Sequence, residues 1–189
     1  MLVLVVGPSG AGKDTLIELA RRALEGDTRF RFVRRVITRP YDGGVEMHEP
    51  MDEAAFEARR QAGGFALTWR AHGFCYGIPA DIAIDLEQER VVVVNVSRAI
   101  IAETAARFPV HVVAISSPPD VLARRLAARG REDAVDAARR LGRTVRLPNG
   151  IPRESIANDS SIEQGGRRLI AVLQRLAGPA PAVEEQTAS

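Results

Sequence analysis

The opening twenty residues constrain this chain more than any other stretch. Leu2-Val3-Leu4-Val5-Val6 is a continuous apolar run of strand length. Gly7-Pro8-Ser9-Gly10-Ala11-Gly12 follows, and Lys13-Asp14-Thr15-Leu16-Ile17-Glu18-Leu19-Ala20 has the apolar spacing of an amphipathic helix. A strand that turns through glycines into a helix aims backbone N–H groups and a positive helix end at one spot, which makes an anion site. Lys13 is the only lysine; every other basic residue is arginine. An ammonium is a compact point charge that fits among phosphate oxygens, whereas a guanidinium is a planar fork. The spacing is that of the phosphate-binding loop G-x-x-x-x-G-K-[ST], with Asp14 at the last position and Thr15 after it. Residues Gly7, Pro8, Ser9, Gly10, Ala11, Gly12, Lys13, Asp14 and Thr15 are therefore the expected nucleotide-phosphate site. Lys13 would bridge the β- and γ-phosphates, the amides of Gly10, Gly12 and Lys13 would cradle the β-phosphate, and Thr15 would reach the α-phosphate.

At 189 residues, 46% apolar and 26% charged, the chain suits one domain with a sizeable core. A formal charge of +2 and scattered arginines give no basic stripe for nucleic acid. Cys75 is the single cysteine, which excludes an internal disulfide, and no Cys/His set has zinc spacing. No run approaches the roughly 20 apolar residues of a membrane span, and the first strand begins at Leu2. The expectation is a cytoplasmic protein without nucleic-acid or membrane partners; the oligomeric state stays open.

Downstream, Arg31–Ile37 reads as a second strand, broken by the turn-rich Thr38-Arg39-Pro40-Tyr41-Asp42-Gly43-Gly44. Asp52 is expected to cap a helix over Glu53–Gln61 that Gly63-Gly64 ends, before short strands at Phe65–Trp69 and Cys75–Gly77. A helix from Pro79 to about Gln88 precedes the strand Val91–Asn95. A helix over Arg98–Arg107, the strand Val110–Ser116 and helices over Asp120–Ala128 and Ala134–Arg146 follow. Ser155–Asn158 reads as a last strand and Ile162–Leu176 as a last helix, with a disordered tail over 178–189. Apolar strands alternating with helices predict an α/β fold, a parallel sheet covered by helices on both faces. Ligands in such folds bind beyond the carboxyl ends of the strands, here Gly7, Thr38, Asn95 and Ser116.

These residues suit phosphoryl transfer between anions. Magnesium prefers hard oxygen ligands, so Asp14 is a candidate Mg2+ ligand for bound ATP. A carboxylate in a first helical turn also simply favours the helix dipole, and both readings stay open. Arg124, Arg125, Arg129, Arg131, Arg139, Arg140 and Arg143 cluster around Gly130. That suits a hinged lid in which a few guanidinium groups meet phosphate and the rest are solvated. His48, His72 and His111 stand apart from any triad. A phosphate acceptor, with a second pKa of about 6, is already ionised near neutrality and needs no base. The missing base therefore favours a phosphate over a hydroxyl as acceptor.

With these motifs placed, the chain resembles the guanylate kinase family over about Leu2–Leu176. The resemblance is carried by Gly7–Lys13, Ile37-Thr38-Arg39-Pro40, Glu46, His72-Gly73-Phe74-Cys75-Tyr76-Gly77-Ile78-Pro79, Arg129-Gly130 and Asn158-Asp159. It implies a P-loop kinase fold in one domain over residues 1–177, with an acceptor-binding region over about 38–88 and a mobile lid over about 129–140. It also implies that Arg39 and Tyr76 hold the acceptor's phosphate, while Arg129 and Arg140 act with Lys13 on the transferring group.

The departures from that family bear on the acceptor. Its second arginine, three residues after Arg39, is Asp42 here, and its tyrosines at two further positions are His48 and Cys75. Its two acidic readers of guanine are Thr68 and Ser97. A pocket built to hydrogen-bond a base loses orders of magnitude in selectivity without such partners. The replacements resemble instead the subfamily of ribose 1,5-bisphosphate phosphokinases. The matching segments are Gly12-Lys13-Asp14, Gly43-Gly44 ahead of Glu46 and His48, Ala71-His72-Gly73, and Val93-Val94-Asn95-Val96-Ser97-Arg98. That resemblance implies transfer of the ATP γ-phosphoryl to the 1-phosphate of ribose 1,5-bisphosphate, giving 5-phosphoribosyl 1-diphosphate and ADP in phosphonate breakdown. Arg39, Glu46, His72, Tyr76, Asn95 and Arg98 are its acceptor-side candidates, although His72 also reads as structural and Arg98 as a solvent-facing helix start. Three alternatives stay open. They are a nucleoside monophosphate kinase with altered base choice, a guanylate-kinase-like binding module without turnover, and a gluconate-like hydroxyl acceptor served by Glu46 or Asp42.

Overall fold

The computed structural model describes residues 1–40, 48–127, 149–159 and 161–179. Asp42, Glu46, Arg129, Arg131, Arg139, Arg140 and Arg143 lie outside the described residues, as do the expected lid, the helix expected over Ala134–Arg146 and positions 180–189 of the expected tail.

Five strands form one parallel sheet: β1 (Leu2–Val6), β2 (Phe30–Phe32), β7 (Val91–Asn95), β8 (Val110–Ser116) and β9 (Arg153–Ala157), in the order β2-β7-β1-β8-β9. Every residue of β1 and β7 is buried, as a strand covered on both faces requires. Alternation divides the core in two. Val3, Val5, Val93, Val113 and Ile115 pack under Leu16 and Ala20 of α1 (Lys13–Ala23) and Leu169 and Leu173 of α6 (Ile162–Ala177). Leu2, Leu4, Val92, Val94 and Val112 pack the opposite way. That face is covered by Ile82 of α3 (Ile82–Glu87), Ile101 of α4 (Ile101–Ala105), and Leu67 and Ile78 from a second sheet. A fifth helix, α5 (Pro119–Ala127), follows β8.

The second sheet is small and mixed: β3 (Val36–Ile37), β4 (Glu49–Pro50), β5 (Phe65–Ala71) and β6 (Phe74–Pro79), in the order β4-β3-β6-β5. β5 and β6 form a hairpin whose turn residues, His72 and Gly73, have φ of +52° and +76°. Two positive φ values suit the tight hairpin turn whose twist matches the flanking strands. Helix α2 (Glu53–Gln61) begins where expected, and Asp52 accepts from the Ala55 N–H at 2.8 Å.

Several boundaries differ from expectation. Arg31–Ile37 is not one strand. Phe30–Phe32 pairs with β7, the Val33 N–H still donates to the Val93 carbonyl at 3.1 Å, and the chain then leaves for the second sheet, where Val36 sits opposite Gly77. Thr38 consequently ends a strand of the second sheet, not of the parallel one; its Oγ1 accepts from the Cys75 N–H at 2.8 Å. Pro79 closes β6 instead of opening a helix, since a strand end tolerates its missing donor. The helix expected over Arg98–Arg107 is a 3-10 turn, Arg98–Ile100, followed by the short α4. The Ser97 hydroxyl caps that turn, accepting from the Ala99 N–H at 3.3 Å.

Candidate active site

The turn from β1 into α1 is shaped by what only glycine permits. Gly7 has φ of +151°, and a Cβ there would lie 2.2 Å from the Ile115 carbonyl oxygen of β8. Gly10 and Gly12 adopt φ of +81° and +86°, and Gly12 is the N-terminal cap of α1, offering no side chain to the first turn. First-turn N–H groups lack intrahelical acceptors, so a helix start of this kind is built to receive an anion. Lys13 Nζ donates to the carbonyls of Gly7 and Pro8, at 3.0 Å each, which holds the ammonium over the loop. From behind, buried Asn158 donates its Nδ2–H to the Ala11 carbonyl at 2.8 Å. Asn158 is itself fixed by backbone: its N–H donates to Ser116 O at 2.7 Å, and its carbonyl accepts from the Ser117 hydroxyl at 2.9 Å.

On the far side of the helix start, Asp14 joins the loop to the second sheet. Its Oδ1 accepts from Asn95 Nδ2 at 2.6 Å, at the end of β7, and from Arg35 Nη2 at 3.4 Å. The Arg35 guanidinium lies over the Tyr76 ring, 5.7 Å from its centroid. Tyr76 in turn stacks on Trp69, with centroids 5.2 Å apart and planes 10° from parallel. Arg39 repeats the arrangement one step along, 6.0 Å from the Phe74 centroid, with its carbonyl 3.0 Å from His48 Nε2. One aspartate therefore sits beside one ammonium and an arginine-bearing sheet face, in a neighbourhood whose charge favours phosphate.

Of the residues singled out in the sequence, Asn95 meets the Gly7–Asp14 loop directly at Asp14, and Tyr76 is joined to it through Arg35. Thr15 follows on α1, half-buried, and Ser9 is exposed on the loop. Arg39 lies on the Tyr76 side of the second sheet. Arg98 is half-buried at the start of its 3-10 turn. His72 sits at the exposed hairpin tip, where its positive φ gives it a structural task. Among the described residues, no three His, Cys, Asp or Glu side chains gather as a metal cage. The set instead fits magnesium held mainly by phosphate oxygens and water with one carboxylate, which is this ion's preference. Two residues escaped the sequence reading: Arg35, hidden inside an expected strand, and Asn158, quoted only as part of a motif. The sequence carried one usable signal for Arg35, its two-residue alternation with Ile37 and Arg39.

Comparison with known proteins agrees with this geometry. The chain is 49% identical over 177 residues to the ribose 1,5-bisphosphate phosphokinase PhnN of Acidiphilium cryptum, covering 92% of each chain. It is 47% identical to the PhnN protein of Methylobacterium radiotolerans, over 92% of this chain and 97% of that one. It is also 48% identical over 172 residues to the bifunctional ribose 1,5-bisphosphokinase-thymidine phosphorylase of Cupriavidus necator, of which it spans only 28%. No protein-family model matches the chain. In fold it is similar to guanylate kinase from Anaplasma phagocytophilum, with a TM-score of 0.68 at 17% identity over 92% of this chain and 84% of that one. It is less similar to a gluconokinase from Sinorhizobium meliloti, with a TM-score of 0.51 at 21% identity over 93% and 92% of the two chains. Both likenesses speak for an α/β P-loop kinase fold. With that fold, a lysine-bearing phosphate loop and near full-length identity of this order, the chain belongs to the ribose 1,5-bisphosphate phosphokinase family.

Proposed function

We propose that the chain transfers the γ-phosphoryl group of ATP to the 1-phosphate of ribose 1,5-bisphosphate, yielding 5-phosphoribosyl 1-diphosphate and ADP in phosphonate breakdown. The observation that carries this reading is the junction at Asp14. There a glycine-built loop with its ammonium meets an arginine-bearing face, and the two positions at which the resemblance places guanine readers carry Thr68 and Ser97 instead of carboxylates. Of the two positions where a guanine reader would stand, Thr68 lies opposite Gly77 in the hairpin, and the Ser97 hydroxyl already caps the turn after β7.

In this mechanism Lys13 exchanges its two carbonyl partners for the β- and γ-phosphate oxygens of ATP. An ionised oxygen of the acceptor's 1-phosphate forms the new bond to the γ-phosphorus as the bond to the β–γ bridging oxygen breaks, and ADP departs with those electrons. No proton has to leave the acceptor, so the residues' work is to offset charge repulsion and to align the partners. Arg39 and Tyr76 hold the accepting phosphate, and Glu46, His72, Asn95 and Arg98 are further acceptor-side candidates. Arg129 and Arg140 act with Lys13 on the transferring group. Mg2+ on the phosphates supplies charge neutralisation, and Asp14 is the residue that would hold it. The acceptor is a small phosphorylated sugar. No helix among the described residues is long and apolar enough to cross a membrane, and a cytoplasmic location is proposed with the activity.

The test is ADP release from ATP and magnesium with ribose 1,5-bisphosphate or GMP as acceptor. Ribose 1,5-bisphosphate should be turned over and GMP should not. Faster release with GMP would overturn the acceptor assignment, and no release with either would leave a binding module.

A further inference from the structure

We infer that Asn95 is a positioning residue for the donor's magnesium: its amide N–H fixes one oxygen of Asp14, which leaves the other to the cation. This rests on the phosphoryl transfer proposed above and narrows the place of Asn95, an acceptor-side candidate there, to the donor's metal.

The chemistry of two positions is matched. In phosphate-loop enzymes the hydroxyl after the lysine and an acid from another element hold the magnesium. In this chain the residue after the lysine is itself the acid, Asp14. The strand end that touches it supplies an amide instead, with Asn95 Nδ2 2.6 Å from Asp14 Oδ1. An ionised carboxylate only accepts, so the group facing it has to donate. A second carboxylate at that distance would repel the first unless the two shared a proton. An amide on the strand is therefore the counterpart of a carboxylate on the loop.

The bond leaves Asp14 half free. The Arg35 contact, at 3.4 Å, falls on the same Oδ1, and among the described residues Oδ2 has no hydrogen-bond partner. The Asp14 side chain is 23% exposed and stands on the first turn of α1, beside Lys13. One clamped oxygen and one open oxygen suit a carboxylate that gives a single ligand to a cation otherwise held by phosphate and water.

Asn95 is also an expensive residue for its place in the fold. It lies opposite Val5 in the β1–β7 pairing, two residues before Gly7, and closes the wholly buried run Val91–Asn95. The Val96 N–H donates to the Val5 carbonyl at 3.1 Å, so backbone fixes the amide next to the base of the loop. With Nδ2 turned to the carboxylate, Oδ1 is buried without a hydrogen-bond partner among the described residues. A buried oxygen without a donor weakens a core, and an apolar side chain would end the strand without that penalty. A residue that weakens its own strand while holding a partly exposed carboxylate serves that carboxylate, not the core.

The experiment measures ADP affinity by calorimetry with magnesium and with EDTA, in wild type, Asn95→Ala, Asp14→Ala and the double variant. The ratio of the two affinities is the coupling between metal and nucleotide. Asn95→Ala should lower that ratio by roughly 10-fold and leave the metal-free affinity unmoved, which also shows that the loop is folded. In the Asp14→Ala background it should cost nothing further, because Asn95 acts through Asp14. Asn95→Val, which extends the apolar run of β7, should give the same drop and so exclude a defect peculiar to alanine. A merely structural role would weaken metal-free binding or add its loss in the double variant, and either result would overturn the inference. So would an Asp14→Ala variant that keeps the wild-type ratio. The KM for ribose 1,5-bisphosphate at saturating ATP and magnesium should not move; a raised KM with intact coupling would return Asn95 to the acceptor side. Wild type that couples metal to ADP but releases none with ribose 1,5-bisphosphate would sink the proposed activity and leave the role of Asn95 standing.

Discussion

The five-stranded and four-stranded sheets meet at the site with opposite means. In the parallel sheet, β1 and β7 are wholly buried, and the loop they support is shaped by backbone: glycine dihedrals, a close pass by the Ile115 carbonyl, and an asparagine on the Ala11 carbonyl. In the second sheet, β3 is two residues long and β4 is exposed; what it brings to the site is side chains, rings with arginines laid over them. A triphosphate is the same object for every enzyme that uses it, so the donor side can be rigid backbone. Acceptors differ, and side chains carried beside that loop on the second sheet can vary while Leu67 and Ile78 keep the sheet packed on the parallel one, which is where a new acceptor can be accommodated.

The sharpest way to break this comparison is at the donor loop. Lys13→Ala should lower kcat with ribose 1,5-bisphosphate by roughly 100- to 1,000-fold, about 3–4 kcal/mol of transition-state stabilisation. The unfolding midpoint should move little, because the ammonium's bonds to the Gly7 and Pro8 carbonyls stay within the loop. Single-turnover ADP release checks the rate and a denaturant titration checks the fold. Near-normal kcat would mean that charge for the transferring group comes from elsewhere.

A matched pair of glycine substitutions tests backbone against side chain directly. At Gly7 an added Cβ meets a backbone oxygen at 2.2 Å in a positive-φ conformation, and neither can give way. Gly7→Ala should cost about 3 kcal/mol or more in denaturant stability. At Gly77 the same atom meets the Phe65 ring at 2.6 Å. That ring can tilt, although its stacking on Phe56 at 4.6 Å resists, so Gly77→Ala should cost about 1–2 kcal/mol. Equal losses would remove the distinction between a fixed first sheet and a yielding second one.

The same distinction explains what could be read from the sequence. β1, β7 and β8 stood out because strands buried on both faces are apolar at nearly every position, and Gly7–Lys13 followed one of them. Asp52 was legible because a cap is a local interaction. Arg31–Ile37 was misread as one strand because nothing local marks where a chain leaves one sheet for another. Val33 still bonds to β7 while Val36 already belongs to β3. That error hid Arg35, whose meaning depends on Asp14 and Tyr76, residues 21 and 41 positions away. Asn158 was opaque for the same reason: its partner Ala11 lies 147 residues earlier. Local chemistry was readable and long-range partnership was not.

The smallest expected effect contrasts two similar ion pairs, one on α1 against the parallel sheet and one on α2 beside the second. The Glu18 carboxyl is held down at about 2, chiefly by its hydrogen bonds from Arg21, with Arg22 adding to them. Glu57 is also lowered to about 2, chiefly by Arg60 with help from Gln61. Both folded values lie below the ordinary 4.5. The stabilisation is therefore complete above pH 4.5 and is lost as pH falls from there through the folded value near 2. Solvent separates the two, since the Glu18 side chain is 18% exposed and that of Glu57 is 47% exposed. Glu18→Gln should cost about 0.3–0.5 kcal/mol per lost pair at neutral pH and low salt, and Glu57→Gln less. In thermal melts from pH 7 to 2, the Glu18→Gln and wild-type curves should converge at the acid end, and added salt should narrow the neutral gap. A larger loss from Glu57→Gln would mean that the second sheet's flank, not the first, relies on surface charge.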